Sequence, residues 1–250
     1  MVVSFLTLGC KSNQFDTQAM ESILASRGHT IRSFNEECDA YVINTCSVTS
    51  VGDKKSRQLI RQTRRRAPNS IIGVCGCFSQ LHPDSDVLNV ADVVSGSTDR
   101  EGFLQLLEKA YADRCQRHNI VSPSREFEYL PAGGLEGRTR AMLKIQDGCN
   151  NYCTYCIIPY SRGHIRSMSP EYAVKEIKRL RYIGYLEVVI TGIEISSYGL
   201  EMKPRVSLIS LLESLSKAAP DIRLRLGSLE PRTITEDFCL RASKLSNICP

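Results

Sequence analysis

Short apolar runs alternate with amphipathic stretches through the first 113 residues. VVSFLTL at 2–8, YVIN at 41–44, IIGV at 71–74 and DVV at 92–94 are short aliphatic runs, and the intervals at about 15–27, 51–66 and 100–112 repeat apolar positions at helical spacing. Runs this short without polar alternation predict strands buried on both faces, so the βαβαβα order predicts a parallel sheet covered by helices. The periodicity stops between about 113 and 138, where SPSREFEYLPAGGLEGRTR is rich in Arg, Ser, Pro and Gly; a linker is expected there.

A second series follows. AMLKIQD at 141–147 reads as a strand, and after a cysteine-bearing loop Ser169 and Pro170 form the N-cap and first position of a helix running to about Gly184. Ala173, Ile177, Leu180 and Gly184 share one face of that helix, the stripe that would lie on a sheet. Strands at 186–191 and 222–228 and helices at 206–218 and about 233–245 complete three βα units, and a fourth strand would begin at Asn247. Three units cannot close a barrel, which would leave strands 141–147 and 222–228 as edges. The expected organisation is residues 1–113 as one α/β domain, 114–138 as linker and 139–250 as the second domain.

Composition narrows the class. With 42% hydrophobic and 24% charged residues, the 250-residue chain is neither disordered nor collagenous. No secretory leader is evident and no apolar run approaches the roughly 20 residues of a membrane span, so a cytoplasmic location with no membrane partner is expected. In that compartment thiols stay reduced, and eleven cysteines suggest metal or catalysis rather than bridges. The net charge of +5 permits a polyanionic partner without requiring one.

Cys10, Cys46 and Cys77 each fall just past the end of a predicted parallel strand, the edge where open α/β sheets bind ligands. Three thiolates from separate loops suit a metal or an iron–sulfur cluster; taken singly, each is equally well a small buried hydrophobe. Cys75 is the rival to Cys77, and its position nearer the strand favours a wall role. In the second series Cys149, Cys153 and Cys156 lie within eight residues in a CxxxCxxC loop. Structural zinc wants four ligands, and His164 is the one histidine nearby that could supply the fourth. Three thiolates alone suit a [4Fe–4S] cluster with one iron left open. The predicted helix at 51–66 carries Lys54, Lys55, Arg57, Arg61, Arg64, Arg65 and Arg66, with Lys54, Arg61 and Arg65 on one face. On charge alone, RNA phosphate and a solvated face are equal readings. Arg162 and Arg166 could serve a cofactor carboxylate, a phosphate or simply the loop.

CxxxCxΦC with Tyr155 before its last cysteine resembles the radical S-adenosylmethionine superfamily, and DGCNNYCTYCIIPYSRG resembles its methylthiotransferase branch. LGCKSNQFDT, INTCSVTSVGDKKSRQLIRQ and CGCFSQ are similar to the three cysteine motifs of that family's N-terminal domain, and TGIEISSYG and LRLGSLEP to its later barrel segments. Lys11, the run VTSVGDKKSRQ and TGI resemble the members acting on N6-threonylcarbamoyladenosine in tRNA. Glu194 stands where that group would have His. The family has a barrel of six βα units followed by a small RNA-binding β-domain (TRAM), so the resemblance implies a partial (βα)6 barrel of which about three units are present, with TRAM absent.

The resemblance implies two [4Fe–4S] clusters, one on Cys149, Cys153 and Cys156 and one on Cys10, Cys46 and Cys77, with S-adenosyl-L-methionine bound at the first. Tyr155, Gly192, Ser228, Glu230 and Arg166 are the implied cofactor contacts, and Lys54, Arg61 and Arg65 the implied RNA contacts. The implied reaction replaces hydrogen at C2 of adenosine 37, in the anticodon loop of tRNA, by a methylthio group. It would draw electrons from a low-potential donor such as flavodoxin or ferredoxin and be carried out by a monomer. The alternatives are a fragment that binds clusters without turnover, a methylthiotransferase acting on a ribosomal protein, and a zinc-binding structural module.

Overall fold

The computed structural model describes residues 1–133 and 139–249. It divides into two compact units, one of Met1–Ser124 with Asn151–Gly163, the other of Arg125–Asn150 with His164–Pro250. The expected linker lies at 114–138; its last five residues, 134–138, and Pro250 fall outside the described residues.

In the first unit the elements run β1 (Val2–Thr7), α1 (Lys11–Ser26), β2 (Thr30–Arg32), β3 (Ala40–Thr45), α2 (Ser50–Arg66), β4 (Ile71–Gly76), α3 (Cys77–Leu81), β5 (Val93–Ser95), α4 (Arg100–Asp113) and β6 (Arg117–Asn119). The six strands form one parallel sheet in the order β2-β1-β3-β4-β5-β6. This is the α/β architecture expected from the alternating runs. β3 and β4 are buried at every position, as strands covered on both faces must be. One face packs Met20, Leu24, Leu104 and Leu107 against Val3, Val42 and Val93, and the other packs Ile60, Phe78 and Val87 against Ile43, Ile72 and Val94. β6 lies inside the stretch expected to be linker. Its sequence, Arg-His-Asn, has no apolar run, yet it completes the sheet by pairing with β5. The short helix α5 (Ile158–Arg162) also belongs to this unit.

The second unit contains β7 (Arg140–Asp147), β8 (Arg166–Ser167), α6 (Pro170–Tyr182), β9 (Glu187–Gly192), α7 (Leu208–Ala218), β10 (Arg223–Leu226) and α8 (Glu236–Ala242). Its sheet has the order β10-β9-β7-β8, with β7, β9 and β10 parallel and β8 antiparallel. The expectation that strand 141–147 is an edge is corrected at its end only: the two-residue β8 pairs with Gln146 and Asp147. The other expected edge is partly covered too, because Leu224 bridges Ile248 in parallel. Ser169, Ser207 and Thr235 cap α6, α7 and α8, each accepting a bond from the backbone N–H three residues on. Ala173, Ile177 and Leu180 form the buried stripe on α6, but Gly184 lies past the helix with φ +93°, where it ends the helix rather than extending the stripe.

Candidate functional site

The carboxyl ends of β1, β3 and β4, three neighbouring strands, carry the first three cysteines. Cys10 is the N-cap of α1, Cys46 follows β3 directly, and Cys77 opens α3. Register brings two of them side by side, since Thr45 pairs with Gly76 and each cysteine is the next residue. From the β1 side, a Cβ placed on Gly9 would lie 2.7 Å from Cys46 Sγ.

Buried polar groups fix these strand ends. Asn13 Nδ2 donates to Leu8 O (2.8 Å) and Thr45 O (2.9 Å), and Asn44 Nδ2 donates back to Asn13 O (3.0 Å). Ser56 of α2 holds both backbone groups of Cys46: its Oγ accepts from Cys46 N at 3.2 Å and donates to Cys46 O at 2.9 Å. Burial pushes the Cys46 thiol up from its ordinary range, and Cys77 and Cys10 push it the same way by opposing a second negative charge, while a bond from the Val48 backbone and the charge of Arg162 lower it. A thiol held protonated in this way gives up its proton when a metal takes its place.

Cys75 is distinct. It is fully buried within β4 among Met20, Leu104 and Leu107, and burial raises its thiol to about 11. Burial of this kind leaves a cysteine chemically inert. Between it and Cys77, Gly76 has φ +104° and ψ −162°, a region open essentially to glycine alone. A Cβ there would lie 2.5 Å from Thr45 O. We predict that Gly76→Ala costs more than the roughly 1–3 kcal/mol of backbone strain and displaces Cys77. Gly28→Ala is the control, having φ +84° but nothing within 4 Å. Equal losses of hydrogen-exchange protection across β3 and β4 in the two variants would refute the steric part of this prediction.

In the second unit β7 ends at Asp147, two residues before Cys149. The Asp147 carboxylate accepts from Gly148 N (2.8 Å), Lys144 Nζ (3.2 Å) and Arg166 Nη2 (3.3 Å), all in the interior. Gln146 Nε2 donates to the carbonyls of Asp147 and Gly148. Cys149 is therefore buried at the end of a fixed strand. Gly192 ends β9 opposite Gln146, whose Oε1 accepts from Glu194 N at 2.8 Å. Glu194 turns its carboxylate onto Ser196 N and Ser197 Oγ, so it caps a turn of 3-10 helix. Ser228 is exposed, and Glu230 pairs with Arg232.

Cys153 and Cys156, counted with the first unit, share a turn in which Cys156 N donates to Cys153 O at 2.9 Å. Tyr155 between them is 90% exposed. Arg162 is wholly buried and bonded to Asp16, which removes the expectation that it meets RNA phosphate.

Thr49 caps α2, Asp53 lies in its first turn and Arg64, Arg65 and Arg66 in its last, as the helix dipole favours. Three of its seven cations are committed. Arg57 pairs with Asp53, Arg64 with Asp92, and Arg66 lies over the rings of Phe34 and Tyr41. Lys54, Arg61 and Arg65 are exposed, with no ion pair among the described residues.

None of the eleven cysteines is in a disulfide. Among the described residues, no three His, Cys, Asp or Glu side chains gather closely enough to hold one metal ion. The thiolates of a four-iron cluster each bind a different iron, so they stand further apart than the ligands of a single zinc ion.

Residues 2–96 match the uncharacterized protein family UPF0004, and residues 143–239 match the radical SAM superfamily. The chain is 42% identical over 241 residues to the threonylcarbamoyladenosine tRNA methylthiotransferase MtaB of Bacillus subtilis, covering 94% of this chain and 53% of that protein. The chain thus joins a UPF0004 region to a radical SAM region and is similar over nearly its whole length to a tRNA methylthiotransferase. Identity is 38% to MtaB of Aquifex aeolicus (95% and 58% covered) and 34% to the tRNA-2-methylthio-N(6)-dimethylallyladenosine synthase of Pelotomaculum thermopropionicum (94% and 54%). The chain spans about half the length of the curated relatives it matches. A radical S-adenosylmethionine methyltransferase, TsrM from Kitasatospora setae, shares the fold with TM-score 0.63 at 11% identity, covering 97% of this chain and 58% of that one. Membership in the superfamily implies S-adenosyl-L-methionine and a [4Fe–4S] cluster, and the CxxxCxxC donor set, three thiols with no fourth protein ligand in the motif, fits that cluster. No helix among the described residues is long and apolar enough to cross a membrane.

Proposed function

We propose that the chain is the cluster-bearing part of a tRNA methylthiotransferase that converts N6-threonylcarbamoyladenosine 37 to its 2-methylthio derivative. The observation that carries this reading is the pair of cysteine triplets, one at the ends of three adjacent parallel strands and the other directly after β7. Cys149, Cys153 and Cys156 hold the radical cluster; Cys10, Cys46 and Cys77 hold a second. When bound, the radical cluster and S-adenosylmethionine supply a 5′-deoxyadenosyl radical able to take hydrogen from an unactivated aromatic carbon.

The chain's own residues bind and orient. Tyr155 offers its bare face to the cofactor adenine, and Gly192, Ser228 and Glu230 serve the rest of the cofactor. Arg166, buried against Asp147, acts on the cofactor indirectly by fixing the strand end before Cys149. Ser56, Asn13 and Gly76 hold the backbone of the other three cysteines. Lys54, Arg61 and Arg65 face the tRNA backbone. The setting is cytoplasmic, with a low-potential donor such as ferredoxin or flavodoxin, and the working unit is a monomer.

The test is mass spectrometry of tRNA nucleosides from a strain lacking the gene: 2-methylthio-N6-threonylcarbamoyladenosine should disappear. Its persistence, with loss of methylthio from a ribosomal protein, would assign the other substrate. For the RNA face, the combined Lys54→Ala, Arg61→Ala and Arg65→Ala variant should weaken anticodon stem-loop binding. It should also flatten the slope of log affinity against log salt, by about 0.7 for each phosphate that is no longer neutralised. An unchanged slope would mean that the face is merely solvated.

A further inference from the structure

Charged side chains survive in a dry interior only when paired and hydrogen-bonded. The first unit holds such a group. Arg162, the last residue of α5, is 0% exposed, as is Arg100, and Asp16 is 1% exposed. Arg162 Nη1 donates to Asp16 Oδ2 at 3.0 Å and its Nη2 donates to Asn13 Oδ1. Arg100 Nη2 donates to the same Asp16 oxygen at 3.1 Å while bonding the carbonyls of Gly96 and Ser97. Ser97 Oγ donates to Ser161 O, so a second bond anchors the same segment.

The network does not stop at the ion pairs. Asn13, which accepts from Arg162, donates to Leu8 O and Thr45 O. Leu8 is two residues before Cys10, and Thr45 is the residue before Cys46. Asp16 lies farther along the helix that Cys10 caps. At the other end, Arg162 closes the segment that contains Cys153 and Cys156. One guanidinium thus joins backbone that leads into cysteines of both triplets. The planar fork matters, because two neighbouring nitrogens reach two different acceptors at once, which a lysine ammonium on its flexible stem does not reproduce.

We infer that Arg162 is a positioning residue that locks segment 151–163 onto the strand ends carrying Cys10 and Cys46. The lock is a property of the polypeptide; its value in holding two cluster-binding loops in fixed relation rests on the two-cluster reading above. Removing Arg162 leaves Asp16 its bond to Arg100, so the unit should stay folded while the segment loosens.

Hydrogen exchange of the full chain tests this, comparing wild type with Arg162→Gln and Arg162→Lys, before and after anaerobic loading with iron and sulfide. Amides of 151–163 in Arg162→Gln should exchange about tenfold faster, with β3, β4 and α6 still at wild-type protection. Arg162→Lys, keeping the charge without the fork, should restore only part of the protection. Wild-type exchange across 151–163 in Arg162→Gln would overturn the lock, and so would an even loss of protection across the chain, the mark of a general stability role. Iron content reports separately on the two-cluster reading: a chain that loads no cluster on Cys10, Cys46 and Cys77 yet shows local loosening would retain the lock and lose that reading.

Discussion

Asp16→Ala is expected to be among the most destabilising single changes in the first unit, at about 3–5 kcal/mol, the usual cost of removing one partner from a buried ion pair. The size follows from geometry. One Asp16 oxygen accepts from two guanidiniums, at 3.1 Å from Arg100 and 3.0 Å from Arg162, and all three side chains are at most 1% exposed. Truncation removes that carboxylate from two interior cations at once, whereas Arg162→Gln removes a single cation and leaves the Asp16–Arg100 pair. Asp16→Asn should fall between, keeping an acceptor oxygen but not the charge. Because two units are present, one global transition is an unsafe measure. Exchange protection of β1, β3 and β4 against urea reads the first unit alone. If Asp16→Ala left their protection at the wild-type level, the ion-pair network would have no part in stability.

The architecture was legible where burial is apolar and local. β3, β4, β5 and β9 fall on the aliphatic runs, and the cap Ser169 stands where its helix begins. What escaped had a common cause, polar residues put to interior or edge use. The edge strands β2 and β6 are three residues each, Thr-Ile-Arg and Arg-His-Asn, too short and too polar for periodicity to show. α1 begins at Lys11, not near 15, because its first turns are polar yet largely buried: Asn13 bonds the strand ends at Leu8 and Thr45, and Asp16 pairs with Arg100 and Arg162.

The same holds at the site. Spacing alone placed all six cysteines next to strand ends or in one loop, since a ligand motif is a local pattern. The supporting network is not local. Asp16 and Arg162 lie 146 positions apart, and nothing in either neighbourhood marks them as partners. One signal was readable: Lys144 and Gln146 alternate on one face of a strand predicted to be buried, where polar residues need interior partners. They find them in Asp147 and the backbone leading to Cys149. Arg166 belongs to the same arrangement. Each unit therefore holds a buried carboxylate shared by two cations, Asp16 in the helix that Cys10 caps and Asp147 two residues before Cys149. Such pairs cost desolvation, but they define a single geometry for backbone that an apolar core would leave less specified.

The largest functional effect is expected from the cysteines themselves. Anaerobic reconstitution with iron and sulfide should load about eight iron atoms per chain, two four-iron clusters. Cys149→Ala should bring this to about four, leaving the cluster on Cys10, Cys46 and Cys77. Cys77→Ala should also leave about four, those of the radical cluster, and the double variant almost none. Cys75→Ala decides between the two neighbouring thiols. Cys75 is sealed in β4, with burial holding its thiol at about 11, so the protein has little thiolate there to offer. Cys77, buried too, stands past the strand at the start of α3, and the Thr45–Gly76 pairing sets it beside Cys46. The Cys75 variant should therefore load as much iron as the wild type, apart from any loss through a small cavity in the core. The reverse pattern, with iron kept in Cys77→Ala and lost in Cys75→Ala, would exchange the ligand and the wall. One zinc per chain and no iron would remove the radical chemistry altogether, because a metal without redox chemistry cannot split S-adenosylmethionine reductively.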